Sequence, residues 1–235
     1  MSLWPWRRGA RPDPGPGLPD WPAPERTTVA VGDIHGCREA LDRLLDILAA
    51  DDDAADAALV FLGDYVDRGP DSAGVLDRLI ALPERWPGAV TCLAGNHDRM
   101  LLEFLDDPLS GPRWLANGGA ETLFSFGVGQ VRGRAAGERL TAQSVALAEA
   151  MSPERIAWLR GLPTWWRSGT LVAVHGLTDP DSPMEAQDDA TLTWARPGAG
   201  LKPRSDGGWV VHGHTPVPEP TIRQGHVAID TAAFT

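Results

Sequence analysis

The stretch "VTCLAGNHDRM", residues 90–100, sets three polar side chains of different chemistry directly behind an apolar, β-branched run. The run ends at Gly95, and Asn96, His97 and Asp98 follow in consecutive positions. A carboxamide, an imidazole and a carboxylate at the end of a buried strand are costly to bury unless they have partners. This stretch therefore indicates a strand end that carries a functional site.

On both sides of this stretch, apolar runs alternate with segments of helical periodicity. We predict strands at 27–32, 57–63, 89–95, 170–176, 208–215 and 226–230, and helices at 38–50, 72–82 and 98–107. Pro83 is expected to stop the second helix. Such alternation with continuous apolar strands is typical of parallel pairing in an α/β layer structure.

The chain divides by composition. Residues 1–26 are rich in Pro and Gly and are expected to form an extended arm, with three tryptophans that could dock on the domain or on a partner. Residues 27–235 form the predicted domain. Within it, 107–163 is expected to be an insert of helices and loops that shapes a substrate cleft.

The composition excludes several functional classes. The formal net charge is −11 and Lys202 is the single lysine, so binding of nucleic acid through a general positive field is not expected. Two cysteines are too few for a disulfide framework, and no apolar run approaches a membrane span. We therefore expect a cytoplasmic protein that makes no membrane contact, and its oligomeric state stays open.

Four motifs follow the predicted strands: "GDIHG" (32–36), "GDYVDRG" (63–69), "GNHD" (95–98), and the pair "VHG" (174–176) and "VHGHT" (211–215). Loops at the carboxyl ends of strands in an open α/β sheet share one crevice. The side chains expected to converge there are Asp33, His35, Asp64, Asn96, His175 and His214.

This donor set suits metal ions. Carboxylate, amide and imidazole donors together favour Mn, Fe or Zn over Ca or Mg. Six donors are too many for one catalytic ion that keeps an open position, but they suit two ions that share a carboxylate. Such pairs, about 3.5–4 Å apart, are a standard device for phosphoester hydrolysis. We predict two divalent ions, manganese before iron or zinc.

The motifs resemble those of the calcineurin-like metallophosphoesterase superfamily, in its phosphoprotein phosphatase branch. That branch holds serine/threonine protein phosphatases, their bacterial relatives and symmetrical diadenosine tetraphosphatases. The resemblance covers about residues 27–235. It implies an α/β fold, a four-layer β-sandwich flanked by helices, and hydrolysis by direct attack of a metal-bridging hydroxide on phosphorus.

The resemblance also implies residue roles. Asp33 and His35 would bind the first metal ion, and Asp64 would bridge both. The second ion would be bound by Asn96, His175 and His214. The remaining roles would belong to the general acid His97, to its carboxylate partner Asp98, and to the phosphate-binding Arg68 and Arg196.

Three positions depart from the branch. Many protein phosphatases have arginine where this chain has Ala94, and glutamate where it has Asp98. The third is Ala232 in "IDTAAFT", where the branch has glycine followed by a further strand, so we expect a short or truncated C-terminal strand.

These departures leave the substrate open. The leading prediction is a serine/threonine protein phosphatase-like enzyme, a phosphoric monoester hydrolase. The first alternative is a symmetrical dinucleoside tetraphosphate hydrolase, and a minor alternative is a catalytically inactive metal-binding scaffold. A nucleotide would need a surface for adenine. The candidate aromatic residues are Trp114, Phe124, Phe126, Trp165 and Trp166. Packing in the core is the simpler interpretation of these side chains.

Overall fold

A computed structural model describes residues 20–129 and 135–235 of the chain. Most of the predicted arm lies outside these ranges, including Trp4 and Trp6. The described end of the arm docks on the domain. Trp21 stacks on Trp209 with ring centroids 5.0 Å apart, and the Trp209 indole N–H donates to the carbonyl of Asp20 at 2.7 Å.

The first sheet has three parallel strands in the order β1-β2-β3, as the alternating pattern predicted. Helices connect the strands on one side of this sheet. These elements are β1 (Thr28–Val31), α1 (Arg38–Ala49), β2 (Ala58–Phe61), α2 (Ser72–Arg85), β3 (Val90–Cys92) and α3 (Asn96–Asp106).

The second sheet has five strands in the order β4-β5-β6-β8-β7. Its inner strands β5, β6 and β8 are parallel, and β4 and β7 pair antiparallel at the two edges. Neither edge strand is among the strands predicted from the sequence. The strands are β4 (Trp165–Ser168), β5 (Leu171–Val174), β6 (Trp209–His212), β7 (Thr221–Arg223) and β8 (His226–Ala228).

Alternating side chains place the two sheets face to face. In β2, Leu59 and Phe61 pack with the helices, whereas Val60 packs with Ala173 and Val211 of the second sheet. The outer face of the second sheet has its own apolar cluster, to which helix α7 (Asp189–Trp194) contributes. The layers are therefore helix, sheet, sheet and helix, which confirms the predicted four-layer α/β sandwich.

The insert predicted at 107–163 is helical in its described part. It contains α4 (Gly111–Trp114), a π-helical turn (Leu115–Gly119), α5 (Ala120–Ser125) and α6 (Ala136–Arg160), and the residues described there include no strand. Helix α6 packs against α3 and α2. None of the helices described is long and apolar enough to cross a membrane.

One predicted helix end is wrong. Helix α2 continues through Pro83 and ends at Arg85. Proline removes one N–H donor from the helix, but here it lies in the last turn, where the helix is about to end.

Candidate metal centre

The six predicted metal ligands lie together at the carboxyl ends of strands from both sheets. Asp33, Asp64 and Asn96 follow β1, β2 and β3, and the two histidines of the second sheet follow β5 and β6. All six side chains are buried: Asp33, His35, Asp64, Asn96, His175 and His214. The parallel order of the strands therefore brings donors from five loops to one edge.

The loops that carry these side chains are locally strained. Five of the eight non-glycine residues with positive φ among those described belong to the site: His35 (45°), Asp64 (54°), Asp67 (71°), Arg68 (66°) and His214 (63°). Left-handed backbone is disfavoured for residues that bear a side chain, and it persists where the surroundings enforce it.

Glycines allow the loops to pack closely. A Cβ atom on Gly95 would collide with the carboxylate of Asp64, and one on Gly213 would collide with the carboxylate of Asp33. The motif glycines therefore leave room for the carboxylates that the motifs carry.

The donors form two groups that share one carboxylate. Possible ligand atoms of His35, Asp64 and His97 lie within 4.8 Å of one another, and so do those of Asp64, His175 and His214. Asp33 adjoins the first group, with its Oδ2 3.9 Å from the Nε2 of His35. Asp64 is thus the side chain placed to serve two ions.

Hydrogen bonds orient the imidazole rings for metal binding. His35 Nδ1 lies 2.9 Å from the carbonyl oxygen of Val66, and His175 Nδ1 lies 3.0 Å from that of Leu62. A carbonyl oxygen only accepts, so each Nδ1 carries a proton and each Nε2, once deprotonated, is the ring atom that can bind a metal ion. His175 Nε2 faces the Oδ1 of Asn96 at 2.9 Å. The donors therefore fit two divalent ions.

The pKa values of the acidic and histidine side chains of the site also indicate metal binding. Burial raises the pKa of Asp33 well above its usual range, and Asp64 and Asp230 raise it further. Burial would also raise the pKa of Asp64, but His175 and His97 hold it well below its usual range. Burial opposes protonation of His175, yet Asp64 and Asp33 raise its pKa to about 9. Carboxylates crowded at such depth need positive charge beside them, which divalent cations would supply.

The structure corrects the carboxylate partner of His97. The Nδ1 of His97 lies 2.8 Å from the Oδ2 of Asp67, and the prediction that Asp98 is this partner is wrong. Helix α3 begins at Asn96, and adjacent helical residues do not face each other.

Asp98 instead accepts three backbone N–H groups. They belong to Asp64, Tyr65 and Gly95, at 2.9, 3.0 and 2.9 Å. Because Gly95 is the N-cap of α3, the Asp98 carboxylate serves the start of this helix.

Both predicted arginines reach the cluster. Arg68 donates to the Nε2 atoms of His35 at 3.0 Å and His97 at 2.9 Å, and Arg196 donates from Nε to the Nε2 of His214 at 3.1 Å. Guanidinium groups are suited to two-pronged contacts with phosphate. At the position where many relatives have arginine, Ala94 is buried and donates its N–H to Pro163 at 2.8 Å.

A model of the calcineurin-like phosphoesterase family matches residues 26–230. The chain belongs to the calcineurin-like phosphoesterases. The solved structure of a cold-active protein-tyrosine phosphatase from a Shewanella species has this fold, with a TM-score of 0.58 at 18% identity over 90% of this chain and 74% of that one.

Two relatives differ in the substrates that their names state. Serine/threonine-protein phosphatase 1 of Salmonella typhimurium is 36% identical over 147 residues, which are 62% of this chain and 56% of that protein. The symmetrical bis(5'-nucleosyl)-tetraphosphatase of Burkholderia pseudomallei is 47% identical over 74 residues, 32% of this chain and 24% of that protein. The chain therefore spans just over half of one relative and about a quarter of the other.

The sequence did not single out Asp67 or Thr122 of this phosphoesterase, and it offered Trp114 only as a possible surface for adenine. Asp67 lies inside the motif "GDYVDRG", and its position beside Arg68 could have marked it as a functional residue. Trp114 and Thr122 come from the insert, and both donate hydrogen bonds to Asp67. No spacing pattern in the sequence connects the insert with residue 67. Trp114 is buried, so it offers no free surface for adenine, whereas Phe124 is 82% exposed.

Proposed function

We propose that this chain is a phosphoester hydrolase that depends on two divalent metal ions. The observation that carries the proposal is the buried carboxylate of Asp64, which lies within 4.8 Å of a possible ligand atom of His35 and also of those of His175 and His214. Arg68 donates to His35 and Arg196 donates to His214, so both guanidinium groups adjoin these donors. Metal donors and guanidinium groups on one face are what a phosphate ester requires from its site.

Different residues of the chain would bind the metal ions and the phosphate. Asp33 and His35 would hold one ion, Asp64 would contribute to both, and the second ion would be held by Asn96, His175 and His214. Two ions bound there would supply hydroxide at neutral pH, because they would lower the pKa of a water molecule. Arg68 and Arg196 bind the non-bridging phosphate oxygens and stabilise the charge that builds up on them.

His97 completes the reaction as a general acid. Its Nδ1–H stays bonded to Asp67, so a proton on Nε2 is directed into the site. When Arg68 turns from Nε2 of His97 to the phosphate, that atom can take up a proton from solvent and pass it to the leaving oxygen as the P–O bond breaks.

We propose a phosphoserine or phosphothreonine substrate, on a protein or a small molecule. The Salmonella relative supports this choice because it matches twice as much of this chain as the tetraphosphatase does. The second candidate is a dinucleoside tetraphosphate. It is favoured by a cleft of about 350 Å³ beside Arg68 that includes the exposed ring of Phe124, on which a base could stack.

The two candidates can be separated by direct competition. The purified chain, loaded with manganese, is offered a phosphoserine peptide and diadenosine tetraphosphate, and inorganic phosphate and ADP are measured. We expect the higher kcat/KM for the peptide. Faster release of ADP would transfer the assignment to the tetraphosphatase reaction.

The same preparation tests whether the chain is an enzyme at all. It is loaded in turn with Mn, Fe, Zn and Co and supplied with p-nitrophenyl phosphate, with Asp64→Asn as the matched inactive control. We expect hydrolysis, fastest with manganese, that the control lacks. Absence of hydrolysis with all four metals, together with full metal occupancy, would support the inactive scaffold.

A further inference from the structure

The insert surrounds Asp67, the carboxylate that contacts His97. The indole N–H of Trp114 points at both Asp67 oxygens, each 3.0 Å away. The hydroxyl of Thr122 donates to Asp67 Oδ1 at 2.7 Å and accepts the Asp67 N–H at 2.8 Å. Asp67 and Thr122 are fully buried, and Trp114 is 1% exposed. Water therefore does not compete for these hydrogen bonds.

The same segment also holds the backbone next to Asp67. The N–H of Arg68 donates to the carbonyl of Gly118 at 3.1 Å. Gly118 has a φ of 99°, and a Cβ atom there would lie 2.9 Å from the Arg68 nitrogen. A Cβ atom on the neighbouring Gly119 would collide with the ring of Trp114. Residues 114–122 are thus shaped to close over residues 67 and 68.

These contacts determine where the Asp67 carboxylate points. A carboxylate offers about four lone-pair sites, and Trp114, Thr122 and His97 use them. Asp67 and Arg68 both have left-handed backbone, which side-chain-bearing residues seldom adopt without support. The insert supports this backbone, whereas the general acid that depends on it, His97, lies at the start of α3.

Packing alone does not explain the two side chains. The ring of Trp114 stacks on Phe104 with centroids 4.7 Å apart, and a phenylalanine could make the same contact. Valine would fill the space of Thr122. What tryptophan and threonine add at these positions is an N–H and an O–H, and both are directed at Asp67.

We propose that Trp114 and Thr122 are positioning residues that orient the general acid His97 through Asp67. This inference rests on the proposed function. In the step concerned, a hydroxide oxygen forms a bond to phosphorus, the bond between phosphorus and the leaving oxygen breaks, the Nε2 proton of His97 passes to that leaving oxygen, and Nδ1–H remains bonded to Asp67. Neither insert residue touches the substrate.

The test compares two aryl phosphates that differ in leaving group. p-Nitrophenolate leaves without much help from an acid, whereas the more basic phenolate needs a proton. We expect Trp114→Phe and Thr122→Val to lower kcat for phenyl phosphate by roughly tenfold or more and kcat for p-nitrophenyl phosphate by less than about threefold, with KM nearly unchanged. Thr122→Ser, which restores the hydroxyl, should restore the ratio. Trp158→Phe is the matched control, because it removes an indole of the insert that is not directed at Asp67.

A double-mutant cycle isolates the route of the effect. In a His97→Asn background, Trp114→Phe and Thr122→Val should change neither kcat any further, because the acid that they orient is gone. An equal fall for both substrates in the single variants, or a full additional fall in the His97→Asn background, would show that the two residues act only on the fold.

A spectroscopic measurement needs no turnover. The indole ¹H–¹⁵N resonance that disappears in Trp114→Phe should move in Asp67→Asn, and an unmoved resonance would overturn the contact. If the unaltered protein hydrolyses neither aryl phosphate with any metal, the proposed function fails and this inference fails with it. If it hydrolyses both and the ratio is unchanged in the variants, only the inference fails.

Discussion

The strand-end loops and the insert contribute to one site in different ways. The loops carry the metal donors within short motifs, such as 32–36 and 63–69, where glycine and chemically distinctive residues stand close together. The insert segment 114–122 holds none of the predicted metal ligands, yet it donates two hydrogen bonds to the buried Asp67. The ligands of a site can therefore lie close together in sequence while the side chains that orient its general acid come from a distant segment.

The largest effect should follow a change in the loops. Asp64→Asn removes the carboxylate that both donor groups share, so we expect two-site metal binding to be lost and kcat to fall by at least about 100-fold. Metal content measured by mass spectrometry and turnover of p-nitrophenyl phosphate check this. The control is Asp181→Asn, an exposed carboxylate paired with Lys202. Two bound ions in Asp64→Asn would remove the basis for a shared ligand.

A smaller effect should separate two neighbouring carboxylates. Asp67→Asn should lower kcat for phenyl phosphate by about 10- to 100-fold with metal content unchanged, because it disturbs His97. Asp98→Asn should instead lower the free energy of unfolding by about 2–3 kcal/mol, because it weakens the acceptor of three backbone N–H groups. Leaving-group dependence and urea denaturation distinguish them. The reverse pattern would restore Asp98 as the partner of His97.

Arg68 lies where the loops and the insert meet. Arg68→Ala should raise KM by roughly tenfold or more and lower kcat less, because a charged contact to phosphate is removed. Steady-state kinetics with p-nitrophenyl phosphate measure both constants. Arg167→Ala, on an exposed arginine of β4, is the control. A normal KM in Arg68→Ala would reject its role in phosphate binding.

The smallest effect is expected at the exposed part of the insert. Phe124→Ala should leave stability unchanged and alter kcat/KM for a phosphoserine peptide by less than about threefold, since the ring is largely solvent-exposed. If the substrate is a dinucleotide, loss of stacking should weaken its binding by roughly tenfold. Measured side by side, the two substrates show whether the insert also selects substrate.

Much of the fold was predictable because it depends on local patterns. Apolar runs such as 57–63 and 170–176 enclose the observed strands Ala58–Phe61 and Leu171–Val174, and their alternation with helices indicated parallel pairing. The edge strands Trp165–Ser168 and Thr221–Arg223 were missed, because β7 is wholly exposed and β4 only partly buried, so neither reads as a continuous apolar run.

The amino-acid sequence by itself determined the family, the four-layer architecture and the set of donors that meets at the strand ends. It could do so because the chemistry of each donor and the glycine beside it stand within a few residues of each other. Only the tertiary structure decided that Asp67, and not the adjacent Asp98, contacts His97, since the direction of a side chain depends on where its helix begins. It also decided that Trp114 and Thr122 hold Asp67, because contacts across some fifty residues of chain arise from packing and leave no periodic trace in the sequence.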